Sequence, residues 1–561
     1  MSNLITKSVV VYPERQGAVF QASDEINFYL PPSLGLLNPD TYLRFNLKMK
    51  GLLKKQPCQS AGAASIISSV VVMSGDGRTI YETLDNYAIK AALYYHYTEN
   101  EGAKFLRNLH EGKPNKSLIE GGLGGRAAGS TENKTTAGAS ANQYVVGDAT
   151  TSTSWAKDVE CLLPLWCSGC LSPNRDKVFP LIATQGLRVR IQLNSVKDAT
   201  QVLSAPIYNG ATGAVSTLNA YGKLGGGYQN GTFLSGSMNG AGTVITIYND
   251  EALTTALFNN VDVARCGGVA NPAHPFVVGQ KIIVEDDGRA RADEAEIQSI
   301  AVSGAPNYNV ELTLTGAMNA AYFNDTQLKV GIRTTDAANP DEGYEVSNLS
   351  FVCGVVVPDG DYIRSVQRGV AAGKFMIDIH TYQDYPINIT ANSKQNALYI
   401  KSINSRAKAL LSVPIKTADA EDYVDDSFVP DIQNLDNYQY YLYGTLTPNR
   451  VVSMKEFQLL TAAGVVDKGQ GSFSGEGIRE MEHAVAAAGW PVNNLLRAWE
   501  HPFVGRRLAT PGYSMALNRE GDVRLNLNYD SKTGPSAALV HNFVEHIRRI
   551  TVAGNNQEVM L

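Results

Sequence analysis

Leu43-Arg-Phe-Asn-Leu-Lys-Met-Lys50 alternates apolar and polar residues without a break, and Leu187-Arg-Val-Arg-Ile-Gln-Leu-Asn194 does so again. Side chains on a β-strand point to opposite faces in turn, so each stretch predicts a strand with one buried and one wet face. Working outward from the first, Ala18–Pro31 is extended and stopped by Pro31-Pro32, and Ile66–Met73 is a more uniformly apolar strand. Ser74-Gly-Asp-Gly-Arg78 supplies the positive-φ residues of a hairpin loop, and Thr79–Glu82 returns. Asp85 is then expected to cap a helix from Asn86 to about Glu101. Phe179–Ala183 reads as another strand.

Composition agrees with an all-β chain. The 561 residues include 51 Gly, 27 Tyr and 23 Pro, and only 18% are charged, against roughly 25% in ordinary soluble domains. A formal net charge of −6 argues against a protein that coats nucleic acid along its whole length. The N-terminus lacks the 7 to 15 apolar residues of a signal-peptide core, and no stretch reaches the roughly 20 of a spanning helix. The expectation is a soluble product made in a reducing compartment.

Residues 120–154 are almost wholly Gly, Ala, Ser and Thr, a long exposed loop by composition. Composition shifts near residue 204, and short strands beginning at Val244, Gln280, Ile297 and Val310 suggest an inserted β domain at about 204–342. Beyond it, Val346–Val357 returns, and strand candidates follow at Phe375–Thr381, Ile387–Thr390, Lys408–Val413, Asn437–Tyr443 and Val523–Tyr529. Leu539–Val552 is strand or helix by pattern alone, and a helix is expected at Glu476–Ala488, ended by Gly489 and Pro491.

The sequence offers no catalytic, cofactor-binding or metal site. Cys167-Ser-Gly-Cys170, with Cys161 upstream, has metal-like spacing but no fourth ligand or second knuckle, so buried thiols beside an apolar strand are the reading. Gly225–Gly231 lacks the strand-to-helix context of a phosphate loop, and the serines of Gly471-Ser-Phe-Ser-Gly475 miss the central position of a nucleophile elbow. His541 and His546 stand five apart, which suits neither a helix pair nor a shared strand face. Glu285, Asp286, Asp287, Asp293 and Glu294 lack calcium-loop spacing and read as a solvated face. Arg44, Lys48, Arg188 and Arg190 likewise read as wet strand faces rather than a nucleic-acid surface.

The order of four segments resembles the double-jelly-roll major capsid proteins of double-stranded DNA viruses, in the virophage, polinton-like and large nucleocytoplasmic virus lineage. They are Leu37-Asn-Pro-Asp-Thr-Tyr-Leu-Arg-Phe-Asn-Leu-Lys48, Ile80-Tyr-Glu-Thr-Leu-Asp-Asn-Tyr87, Cys161-Leu-Leu-Pro-Leu165 with Phe179-Pro-Leu181 and Gly186–Leu193, and Asn437–Pro448. The resemblance implies two consecutive jelly-roll sandwiches, and with the inserted small β domain read from composition and a few short helices the expected fold is all-β. It divides the chain into an N-terminal arm at 1–17, a first roll at 18–203 with 343–358, the insertion at 204–342, and a second roll at 359–561. The insertion is the departure from a bare double roll.

What the resemblance implies of function is a non-enzymatic virion subunit with no cofactor, made in the host cytoplasm or nucleus. Three chains would give six rolls and a pseudo-hexagonal capsomer that tiles an icosahedral shell. The partners implied are further copies, penton and minor capsid proteins, with no specific nucleic-acid binding. The 120–154 loop and the insertion would point outward, while the arm and the tail at Asn555–Leu561 would tie neighbours together on the inner side. A carbohydrate-binding or carbohydrate-active jelly roll is the alternative class, since lectin domains share the architecture.

Overall fold

A computed structural model describes residues 5–53, 55–58, 60–111, 158–172, 177–202, 231–247, 276–286, 291–302, 310–322, 328–333, 340–417, 426–430, 432, 435–454, 475–492, 503–509, 514–517, 523–529, 535, 537–553 and 556–560. The 120–154 loop, Asp287 and Gly471–Ser474 lie outside the described residues.

The first sandwich uses β1 (Ile5–Val11), β2 (Glu25–Leu30), β3 (Tyr42–Lys50), β4 (Ile67–Ser74), β5 (Ile80–Asp85), β6 (Val159–Pro164) and β7 (Leu187–Leu193). A barrel follows, of β8 (Gly231–Met238), β9 (Val244–Ile247), β10 (Lys281–Asp286), β11 (Arg291–Val302), β12 (Val310–Leu314) and β13 (Leu328–Arg333), and β14 (Gly343–Val357) then closes the first sandwich. The second contains β15 (Phe375–Asp384), β16 (Gln395–Ile400), β17 (Ala407–Lys416), β18 (Leu435–Leu442), β19 (Thr445–Ser453), β20 (Val504–Arg507), β21 (Val523–Tyr529) and β22 (Ala538–Ala553), and β23 (Asn556–Met560) ends the chain. Among the described residues the longer helices are α1 (Tyr87–Thr98), α2 (Glu101–His110), α3 (Gly360–Ala371) and α4 (Gly475–Ala487).

The pairing order decides the fold. In the first sandwich one sheet runs β1-β14-β3-β6 and the other β2-β7-β4-β5. In the second the sheets run β15-β22-β17-β20 and β16-β21-β18-β19. Counting each set of eight in chain order, both read first-eighth-third-sixth over second-seventh-fourth-fifth. That is a jelly roll, built twice.

The alternating strands behave as their patterns require. Leu43, Phe45, Leu47 and Met49 are buried, as are Leu187, Val189, Ile191 and Leu193. The opposite faces are wet and neutralised across strands: Arg44 meets Glu160 at 2.6 Å, Arg188 meets Glu14 at 3.4 Å and Arg190 meets Glu25 at 3.9 Å. The barrel has its own apolar interior, which takes in Leu53 from the β3–β4 connection. Glu342, at the barrel's exit, accepts from the Leu52 and Leu53 amides at 2.7 and 2.9 Å and pairs with buried Lys55.

Several expectations are corrected. Ile5–Val11 is no free arm: it pairs along its length with Phe351–Val357 and is the first strand of its roll. Asn556–Met560 folds back on Arg549–Ala553 as a hairpin. The Phe179–Ala183 strand shrinks to Phe179–Pro180, and the strand-or-helix ambiguity of Leu539–Val552 resolves to strand, over Ala538–Ala553. Asp85 ends β5 rather than capping α1; Asn86 makes the turn at φ 53°, a conformation that Asn tolerates better than most residues. The expected helix to Glu101 stops at Thr98, and α2 begins at Glu101 behind the Asn100 cap.

Every ladder is antiparallel, so connections after the first, third, fifth and seventh strands of a roll leave from one end. In the first roll that end carries α1, α2 and the barrel, and the opposite end carries the start of β1. The two rolls point the same way: Ser60, after β3, donates to Asp426, after β17, at 2.7 Å, whereas Thr79 at the opposite end donates to the Gln557 carbonyl at 3.3 Å.

Candidate functional site

The chemistry-bearing side chains of the described residues converge on the seam between the rolls. Its frame is the edge of β5 lying against the edge of β15. The Tyr382 hydroxyl donates to the Asp85 carbonyl at 3.1 Å, Arg548 donates to the Tyr81 carbonyl at 2.7 Å, and Asn86 donates to Asp384 at 2.7 Å. Side chains of the second roll thus satisfy carbonyls that an open sheet edge would leave to solvent.

β22 is buried on both faces because it has two neighbours. Asn542 accepts from Ser412 at 2.6 Å, and the Ser412 and Tyr440 oxygens lie 3.0 Å apart, inside the second roll's own core. The alternate residues His541, Phe543 and Glu545 face α1. There Lys90, 1% exposed, forms an ion pair with Glu545 and lies 4.2 Å from the Trp490 ring centre, 5.3 Å from Tyr382 and 5.2 Å from Phe543. Burial raises the Glu545 carboxyl above its ordinary range, against the opposing pull of Lys90. His541 and His546 fall on opposite faces: the first meets Asp384 at 2.7 Å, and the second contacts the Val544 carbonyl at 3.0 Å.

Glu82 is the second buried carboxyl. It accepts from Ser168 at 2.6 Å and from the Gly169 and Cys170 amides at 2.7 and 3.2 Å. Burial nonetheless raises its pKa, with those bonds opposing. Gly169 passes so close to β15 that a Cβ there would stand 2.2 Å from the His380 carbonyl oxygen. Gln557 completes the closure, accepting from the Tyr81 hydroxyl and donating to the Thr184 carbonyl at 3.4 Å.

A cavity of about 1120 Å³ opens beside the seam, lined by Tyr94, Arg107, Trp166, Cys167, His380 and Trp490 among others. Cys161, Cys167 and Cys170 are in no disulfide; burial pushes Cys167 up to about 12 and raises Cys170 well above its usual range. Protonated thiols are poor nucleophiles and poor metal ligands. What this arrangement does chemically is lock two sandwiches into one block. Lys90, Glu545, Arg548 and Gln557 were not singled out by sequence reading, and Glu82 entered it only as the Glu of the Ile80–Tyr87 segment. The one usable signal was a charged residue, Glu545, inside the mixed stretch Leu539–Val552 that the pattern left as strand or helix.

No family model matches the chain, and no curated protein matches it. Solved structures do. Matches include the PBCV-1 virus capsid, at 8% identity and TM-score 0.48 over 100% of this chain and 97% of that one. The Faustovirus major capsid protein matches at 6% identity and TM-score 0.47, covering 99% and 91%. The mavirus major capsid protein matches at 8% identity and TM-score 0.31, covering 99% and 90%. By its own strand order the chain is a double jelly roll, and these similarities run along its whole length.

Proposed function

We propose that the chain is a major capsid protein whose homotrimer forms a pseudo-hexagonal capsomer on the facets of an icosahedral double-stranded DNA virus. The observation that carries this reading is the repetition of one strand order in two parallel rolls joined by a buried polar seam. A block of two equivalent rolls has little to offer catalysis, yet three such blocks supply six equivalent walls for a closed ring. The barrel and the helical connections would face outward, and the end holding the start of β1 and the C-terminal hairpin would face inward. Further copies, penton and minor capsid proteins are the proposed partners, the shell of the virion is the proposed location, and no enzymatic activity is proposed.

Size-exclusion chromatography with light scattering on the full chain tests the assembly state, and electron micrographs test its outline. A trimer with a pseudo-hexagonal projection is expected. A monomer that binds or cleaves glycans would overturn the proposal in favour of a carbohydrate-directed jelly roll.

A further inference from the structure

The cavity of about 1120 Å³ beside the seam is larger than the roughly 300–1,000 Å³ of a usual small-molecule site, and its lining has two unlike parts. One part is aromatic. Tyr94 stacks on Trp166 with ring centres 6.4 Å apart and planes 22° from parallel, and it meets Trp490 edge-on at 5.3 Å. Trp166 remains 37% exposed, so a large ring surface is left bare in the lining. The other part is polar and tilts positive. Its carboxylates are already committed: Asp378 lies between Arg406 at 3.0 Å and Arg549 at 2.8 Å, Glu99 and Glu111 both hold Arg107, and Glu545 holds Lys90. Lys177, exposed in the same lining, pairs with no described residue. The His380 ring likewise has no hydrogen-bond partner among the described residues. Burial, then the charges of Lys177, Lys408 and Arg406, lower its pKa, so at neutral pH it offers one donor and one acceptor.

We infer that this cavity binds an acidic oligosaccharide, with a sugar ring lying on Trp166 and a carboxylate of the sugar meeting Lys177. A sugar ring presents a flat patch of weakly positive C–H bonds, which suits the negative face of an aromatic ring. Its rim of hydroxyls both donates and accepts, as a neutral imidazole does. Lys177 adds a charge-assisted bond to the carboxylate, and the paired acids of the lining leave that bond unopposed. A purely apolar ligand fits worse, because it would dry His380 and Lys177 without giving either a partner. A neutral sugar leaves Lys177 without a counterpart. The inference does not depend on the trimer.

Titration calorimetry and saturation-transfer NMR on the full chain test it. Sialyllactose and trigalacturonate are the acidic probes, lactose and maltotriose the neutral ones, and AMP is a flat aromatic anion for comparison. The acidic probes are expected to bind about tenfold or more tightly than the neutral ones, the scale of one charge-assisted bond. Trp166→Ala is expected to weaken every sugar by about tenfold or more, and Lys177→Met to erase the acidic preference while neutral binding stays. Both side chains are exposed, so circular dichroism and melting temperature should match the parent. No binding of either acidic probe, equal binding of acidic and neutral sugars, tighter binding of AMP, or sugar binding that survives Trp166→Ala overturns the inference. Light scattering on the same samples keeps the two readings apart. A trimer that binds no sugar leaves the capsid reading standing, whereas a monomer that binds acidic sugars upholds the site and overturns the capsid reading.

Discussion

Lys90 sits where a charge is most costly, 1% exposed among aromatic rings, and among the described residues its compensation is Glu545 from the other roll together with the ring faces. Removing one member of a buried pair leaves the other charged and unpaired, which costs about 3–5 kcal/mol, whereas replacing both by apolar residues is often nearly neutral. Lys90→Met is therefore expected to lower the urea midpoint sharply, and Lys90→Met with Glu545→Leu to recover most of the loss. Equal losses in the single and double variants would count against the pair. His546 gives a pH signature. Burial lowers its ring from the ordinary 6.5 to about 4. Between those values the unfolded chain binds more protons than the folded one, so this contribution is fully present above about pH 6.5 and is lost as the pH falls through about 4. Its size is about 3 kcal/mol. His546→Gln should flatten that acid arm in melting temperature measured against pH; an unchanged slope would assign the arm to other groups such as His380, which burial also lowers.

At the level of elements, strands with one wet face were legible from alternation alone, whereas Leu539–Val552, buried on both faces, was not told from a helix. Leu187–Leu193 alternates because one side meets the core and the other meets water, and the structure buries the residues that pattern selects. Ala538–Ala553 is buried through most of its length by its own roll on one side and by α1 on the other, so the alternation that would identify a strand is absent. Helices α2 and α3 were missed. They pack as adjuncts, and α3 has a single buried residue in its span, Val366; yet Ile363, Val366 and Val370 recur at helical spacing behind the Asp359 cap, a signal that the sequence carries and the reading passed over. The seam lay beyond sequence reading because it is a meeting of distant segments. Asp85 and Tyr382, or Tyr81 and Gln557, are neighbours only after both rolls have closed. The cysteines show the converse: their spacing hinted at a metal knuckle, but Cys161 lies in β6 and Cys167 and Cys170 follow it into the seam, where Cys170 neighbours Glu82.

Across the whole molecule, the distribution of apolar contacts predicts how the chain comes apart. One core runs without interruption through both rolls, from Phe20 and Leu43 to Phe543 and Val552, while the barrel's interior is a separate cluster joined by Leu53. Cooperative unfolding units follow contiguous cores, so two transitions are expected in calorimetry of the full chain: one for the barrel and one for both rolls together. The β3–β4 connection couples them through Glu342, which pairs with Lys55 and accepts two backbone amides. Glu342→Ala leaves Lys55 buried without that partner, and is expected to lower the barrel's transition more than that of the rolls. The Lys90→Met variant should do the reverse, since Lys90 belongs to the seam. Three transitions in the parent chain would mean that the seam does not unite the rolls. A single transition that both variants lower equally would mean that the barrel is no independent unit but part of the same block.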